Sequence, residues 1–272
     1  MRILLATDLS PAGVQGVEGI LACGRAGIDH VTLLHVIDLD PYTAGGSVPE
    51  IAEWATEGLS ALAERLGGQG FPAEVRVEWG SAVETIESVA REQDADLVVL
   101  TSLGKGALKG RVLGSTAERL VTRAALPVLL ERVEQGGEQW CRLGSGSPFA
   151  RVLVACAFDE TAETMLGYVR DLPGVTALHL VHVTEDGLQP EGVEGWMREV
   201  AATARVTVDP ETTVAHGDVG DRITEIARDW NASIIVIGPR RRGALRRLVL
   251  GSTARRVAET ADRAVMFVPT DA

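Results

Sequence analysis

The feature that most constrains this chain is a sentence it writes twice. "KGALKGRVLGSTAERL" (Lys105 to Leu120) and "RGALRRLVLGSTARRV" (Arg242 to Val257) lie 137 positions apart, and ten of their sixteen positions are identical. Solenoid units recur every ~20–50 residues, so a period this long means two copies of a whole domain. In 272 residues that leaves two units of about 130–140 residues, each long enough to bury its own core. Residues 1–132 read as unit one and 150–272 as unit two. The glycine- and serine-rich stretch 133–149 reads as the linker between them.

Each unit alternates two kinds of segment. "RILLAT" from Arg2, "VTLLHVID" from Val31, "AEVRVEW" from Ala73, "ADLVVLT" from Ala95 and "LPVLLE" from Leu126 are short and mostly apolar without clean alternation. That pattern marks strands buried on both faces, as in a parallel sheet. Helical periodicity fills the gaps at Ala12–Gly27, Glu50–Leu66, Ser81–Glu92 and Val112–Ala124. Unit two repeats the order with "RVLVAC", "ALHLVHV", "TTVAHG", "SIIVIG" and "AVMFVP". Its gap from Val183 to Gly217 is shorter than the one from Val36 to Gly80, so its second helix is the shorter one. The expected class is therefore α/β, with two similar doubly wound parallel five-stranded sheets. The last strands, "PVLLE" and "AVMFVP", are edges that can pair with each other and join the units as a pseudo-twofold pair.

Net charge of −12 argues against nucleic acid as a partner of the whole chain. The basic residues are unevenly placed, however. Both lysines, Lys105 and Lys109, lie in the first repeated loop, and the second carries Arg240, Arg241, Arg242, Arg246 and Arg247. Cys23, Cys141 and Cys156 form no CxxC and indicate neither a disulfide framework nor zinc. No apolar run reaches the ~18 residues of a membrane span. Met1 leads straight into a strand, so a soluble, cytoplasmic protein without membrane partners is expected.

In a doubly wound sheet, ligands bind beyond the carboxyl ends of the strands, where strand order reverses. Gly114-Ser115-Thr116 and Gly251-Ser252-Thr253 open the last helix of each unit. Unpaired amides and the helix dipole favour an anion there, glycine lets a phosphate approach, and the hydroxyls add donors. Catalytic signatures are missing. Lys105 is followed by Gly106 rather than Ser or Thr, so there is no Walker A, and neither GxSxG nor an SGGxDS-type loop occurs. His179 and His182 are three apart on a strand and face opposite ways. With no general base, the chain is at most a slow ATPase or phosphotransferase.

With these residues the chain resembles the universal stress protein family in its tandem form, over both halves. The family pattern is G-x2-G-x9-G-[S/T] after strand four, with an Asp at the end of strand one. The resemblance implies an adenine nucleotide alpha hydrolase-like fold with strand order 3-2-1-4-5. It also implies an adenine nucleotide ligand (ATP, ADP or AMP), accompanied by Mg²⁺ when a triphosphate is bound. Ala6, Asp8 and Val36 then fall on the adenine side and Thr101 at the ribose. Gly104, Lys105, Gly114, Ser115 and Thr116 fall at the phosphates.

In unit two Gly238, Gly251, Ser252 and Thr253 keep the pattern. Arg241 replaces the second glycine, Ala157 replaces the Asp, and Asp159 comes two positions late. One strong nucleotide site in unit one is expected, with at most an anion gripped by Arg241 and the helix start in unit two. The partners implied are adenine nucleotide and a second copy of the tandem chain. The competing reading is a ligand-free interaction module with degenerate sites.

Overall fold

The computed structural model describes residues 1–38, 48–103, 113–136, 139–144, 146–185, 191–238 and 250–269. Unit one runs β1 (Arg2–Ala6), a 3₁₀ turn (Gly13–Gln15), α1 (Gly16–Cys23), β2 (His30–Ile37), α2 (Val48–Gly68), β3 (Ala73–Trp79), α3 (Ala82–Glu92), β4 (Leu97–Leu103), α4 (Ser115–Arg123), β5 (Val128–Gly136) and β6 (Gln139–Arg142). Unit two runs β7 (Arg151–Ala155), α5 (Thr161–Arg170), β8 (Ala177–Thr184), α6 (Val193–Thr203), β9 (Glu211–His216), α7 (Val219–Asp229), β10 (Ile234–Ile237), α8 (Ser252–Thr260) and β11 (Ala264–Phe267). The shorter second helix of unit two appears as α6, with 11 residues against 21 in α2.

Strand order is β3-β2-β1-β4-β5 in one unit and β9-β8-β7-β10-β11 in the other. All neighbours within these two sets are parallel. Apolar strands of this kind must be covered on both faces, and they are. Leu4, Val98, Leu130, Leu153 and Ile235 lie under α3, α4, α7 and α8. Ile3, Val99, Leu129, Val154 and Ile234 lie under α1, α2, α5 and α6. Each apolar layer runs continuously through both units. The helices meet it with apolar stripes; in α4 these are Ala117, Leu120 and Val121, spaced i, i+3, i+4.

Antiparallel pairing of β5 with β11 fuses the two sheets. Its register is Val128↔Phe267, Leu129↔Met266 and Leu130↔Val265. Leu129 and Met266 are the same position in the two copies, so the pairing is centred on a pseudo-twofold axis. That axis also brings α4 onto α8, where Glu118 and Arg255, another pair of equivalent positions, form an ion pair. Identical copies would place like charges there; divergence of the repeat has replaced them with opposite ones.

Beyond the axis the units differ. β5 continues to Gly136 and turns back into β6, which pairs antiparallel with it from Val133↔Arg142 to Gly136↔Gln139. Glu131 and Arg132, in the middle of β5, are both fully buried. Arg132 Nη1 donates to Ser102 Oγ at 3.1 Å, and Arg142 Nη1 of β6 donates to Glu131 Oε1 at 3.2 Å. Gly19 on α1 makes room for this carboxyl, because a Cβ there would lie 2.2 Å from Oε1. Burial outweighs the attraction of Arg142 and pushes the Glu131 carboxyl up to about 7. Among the described residues no helix is long and apolar enough to cross a membrane.

Candidate functional site

Strand order reverses between β1 and β4, which pair as Ala6↔Leu100. The chain leaves β1 toward α1 and leaves β4 toward α4, so a crevice opens where these ends diverge. Ala6 is buried at the end of β1, and Thr7 donates its amide to Leu34 O at 2.9 Å. Asp8 follows, exposed, with Oδ1 accepting the Ser10 amide at 2.9 Å. That Asx turn fixes the carboxylate and leaves its other oxygen available to a ligand donor. Thr101 stands opposite on β4. Its hydroxyl donates to Gly13 O at 3.0 Å, so its proton is used within the protein and only its lone pairs remain for a ligand.

Gly13 ties these groups together, and sequence reasoning passed over it. Its carbonyl receives Thr101, while a Cβ on it would fall 2.2 Å from Asp8 Oδ1. The signal in the sequence is faint: a glycine five residues after the Asp, in the turn that opens α1.

The other wall is the start of α4. Gly114 is its N-cap, extended at φ −65° and ψ 151°, with Ser115 and Thr116 in the first turn. The Glu118 amide makes the first helical bond, to Gly114 O at 2.9 Å, and among the described residues no side chain caps the helix start. The N–H groups of this first turn form the positive end of the helix. Among the described residues nothing lies within 4 Å of where a Gly114 Cβ would be. Unit two repeats the geometry at Gly251 (φ −59°, ψ 154°), with Ser252 and Thr253 opening α8 and Gly238 directly after β10. Gly104, Lys105 and Arg241 lie outside the described residues.

On the far side of β1, Val36 is half-buried on β2. Its neighbour His35 places Nδ1 2.9 Å from Thr7 O. A carbonyl can only accept, so the proton sits on Nδ1 and Nε2 carries the lone pair. Half-exposed Trp54 of α2 meets this ring edge-on at 5.8 Å. Unit two copies the anchor: Cys156 donates its amide to Val181 O, and His182 Nδ1 sits 2.9 Å from Cys156 O. At the Asp8 position stands Ala157. Asp159 does not replace the lost acid, because its Oδ1 accepts both the amide and the hydroxyl of Thr161, at 3.0 and 2.5 Å, to open α5.

His179 and His182 do face apart, His179 toward Trp230 at the C-cap of α7 and His182 toward Trp196 of α6. Among the described residues no three His, Cys, Asp or Glu are gathered as a metal site.

Comparison with known proteins identifies the family and the fold. The profile of the Universal stress protein family matches residues 1–132 and 148–269. A universal stress protein of Mycobacterium tuberculosis (strain H37Rv) is 27% identical over 292 residues, covering 96% of this chain and 94% of the relative. One from Mycolicibacterium smegmatis is 26% identical over 263 residues, covering 88% of this chain and 86% of the relative. The crystal structure of a universal stress protein from Archaeoglobus fulgidus is similar with a TM-score of 0.77. At 24% identity and 99% and 98% coverage of the two chains, that likeness is one of fold.

Proposed function

The chain belongs to the universal stress protein family, and from that premise we propose that unit one binds an adenine nucleotide as a regulatory ligand in a cytoplasmic stress response. The observation that carries this reading is the convergence of two opposed features on one crevice. An exposed carboxylate acceptor, Asp8, is held by the Ser10 amide beside the Gly13–Thr101 hydrogen bond on the β1 side, and the start of α4 follows β4 on the other. Adenine has an exocyclic amino donor and a triphosphate is a polyanion, so the two ends of ATP match the two ends of the crevice.

In this reading Ala6, Asp8 and Val36 hold the base, and Thr101 accepts from a ribose hydroxyl. Gly114, Ser115 and Thr116 hold phosphate together with Gly104 and Lys105. Mg²⁺ accompanies a bound triphosphate. Nothing described supplies a general base, which favours sensing over rapid turnover. Two tandem chains associate as a homodimer, which light scattering tests.

Two measurements test the ligand. Mass spectrometry of small molecules released from natively purified protein identifies an adenine nucleotide, and titration with ATP saturates at one equivalent per chain. No binding at any ATP concentration overturns the reading in favour of a ligand-free interaction module. Two equivalents of similar affinity overturn the assignment to unit one.

A further inference from the structure

The two units diverge on the base side of the crevice. In unit one Asp8 is exposed, and His35 and Val36 are half-buried. Their counterparts in unit two are closed over: His182 is 6% exposed and Val183 8%. Ala157 supplies no acceptor. At the position of Leu9 unit two has Phe158, and the partner changes with it. Leu9 packs against Gly58 of α2, 3.2 Å from where a Cβ would be. Phe158 lies edge-on to Trp196 of α6, with ring centroids 5.0 Å apart and planes at 83°.

Both rings close on the imidazole. Phe158 is 6.3 Å from His182 and Trp196 is 6.2 Å from it, each edge-to-face. With Nδ1 bonded to Cys156 O, the lone pair on Nε2 points away from the strand, and it is buried with no partner. A dry acceptor without a donor is a standing cost, which the ring contacts offset. Phe158 itself is 44% exposed, so it forms the outer layer over the imidazole.

We infer that Phe158 is the built-in occupant of unit two's base pocket. Its ring takes the space in which unit one receives adenine, and unit two therefore refuses a nucleotide base. This rests on the reading of unit one as the nucleotide site, and it adds a cause of refusal separate from the missing carboxylate. Restoring the acid alone does not open the site; restoring the acid and removing the ring does.

The test compares ATP stoichiometry in the full chain by calorimetry. Wild type and Ala157→Asp saturate at one equivalent, and Ala157→Asp with Phe158→Leu reaches two. Near-ultraviolet circular dichroism confirms that each variant is folded. A second readout needs no nucleotide. Diethyl pyrocarbonate acylates accessible neutral imidazole nitrogen, and peptide mass mapping locates it. His182 stays unmodified in wild type while His35 reacts, and in Phe158→Ala His182 reacts at the rate of His35.

The inference is overturned if His182 of wild type reacts as fast as His35. It is equally overturned if the folded double variant binds one equivalent, or if Ala157→Asp alone binds two. Wild type that binds no ATP defeats the nucleotide reading instead, and the acylation arm still decides whether Phe158 closes the pocket.

Discussion

At the scale of single residues, the site is held by contacts that make sharp demands. If unit one holds the base as proposed, Asp8→Ala removes the acceptor for the adenine amino group. An unsatisfied polar group costs about 1–3 kcal/mol, so ATP affinity falls roughly 5–150-fold, read by calorimetry. Gly13→Ala acts on the same carboxylate from behind. Its methyl would fall 2.2 Å from Asp8 Oδ1, the mobile end of a side chain, so the acid is displaced while the fold survives. Weakened ATP binding at an unchanged melting temperature is the expected result, and unchanged affinity would separate Gly13 from the site.

Glu131 makes a prediction about pH. Its folded-state carboxyl is raised from 4.5 to about 7 by burial. The folded protein therefore holds a proton that the unfolded chain has released, and stability is fully present below the unfolded value and lost as pH rises through about 7. A shift of that size is worth about 3 kcal/mol. Melting temperature declines from pH 5 to 7.5 in wild type, and Glu131→Gln removes most of that decline; a wild-type slope retained in the variant would reject the assignment. The motif residues Asp8 and Gly114 were legible because the pattern itself marks them. Gly13, Glu131 and Phe158 were not, because their importance comes from what the fold places against them.

At the scale of elements, the sequence carried nearly the whole order of strands and helices. Buried parallel strands write themselves as apolar runs, and amphipathic helices write themselves as stripes. The region after Arg132 was harder. Its glycines and charges read as linker, yet β5 runs to Gly136 and β6 returns along it. Tertiary pairing overrode local propensity there, and half-buried Arg142 of β6 meets Glu131. At the axis, the α4–α8 contact rests on Glu118 and Arg255, both partly exposed. An exposed pair of this kind is worth about 0.2–1 kcal/mol. A double-mutant cycle of Glu118→Ala and Arg255→Ala should give a coupling in that range, shrinking as salt is added. Additive single effects at low salt would show that the pair does not contribute to holding the helices together.

At the scale of the whole molecule, the repeat foretold two units, but only the structure shows how completely they merge. Both apolar layers cross the β5–β11 junction, so neither unit has a core that ends at its own boundary. Cooperative unfolding follows from that continuity, since opening one unit strips apolar surface from the other. ATP bound in unit one should then protect unit two as well. Ligand at 100 times its Kd adds about 2.7 kcal/mol, and each 1 kcal/mol raises the midpoint of a chain near this size by about 2–4 °C, so the shift is about 5–10 °C. Differential scanning calorimetry should show one endotherm that moves upward as a whole with ATP. Two endotherms, with only one responding, would mean that the junction joins the sheets without coupling their stability. In that case the asymmetry between the sites would stay a property of each unit, and unit two could not report on the ligand in unit one.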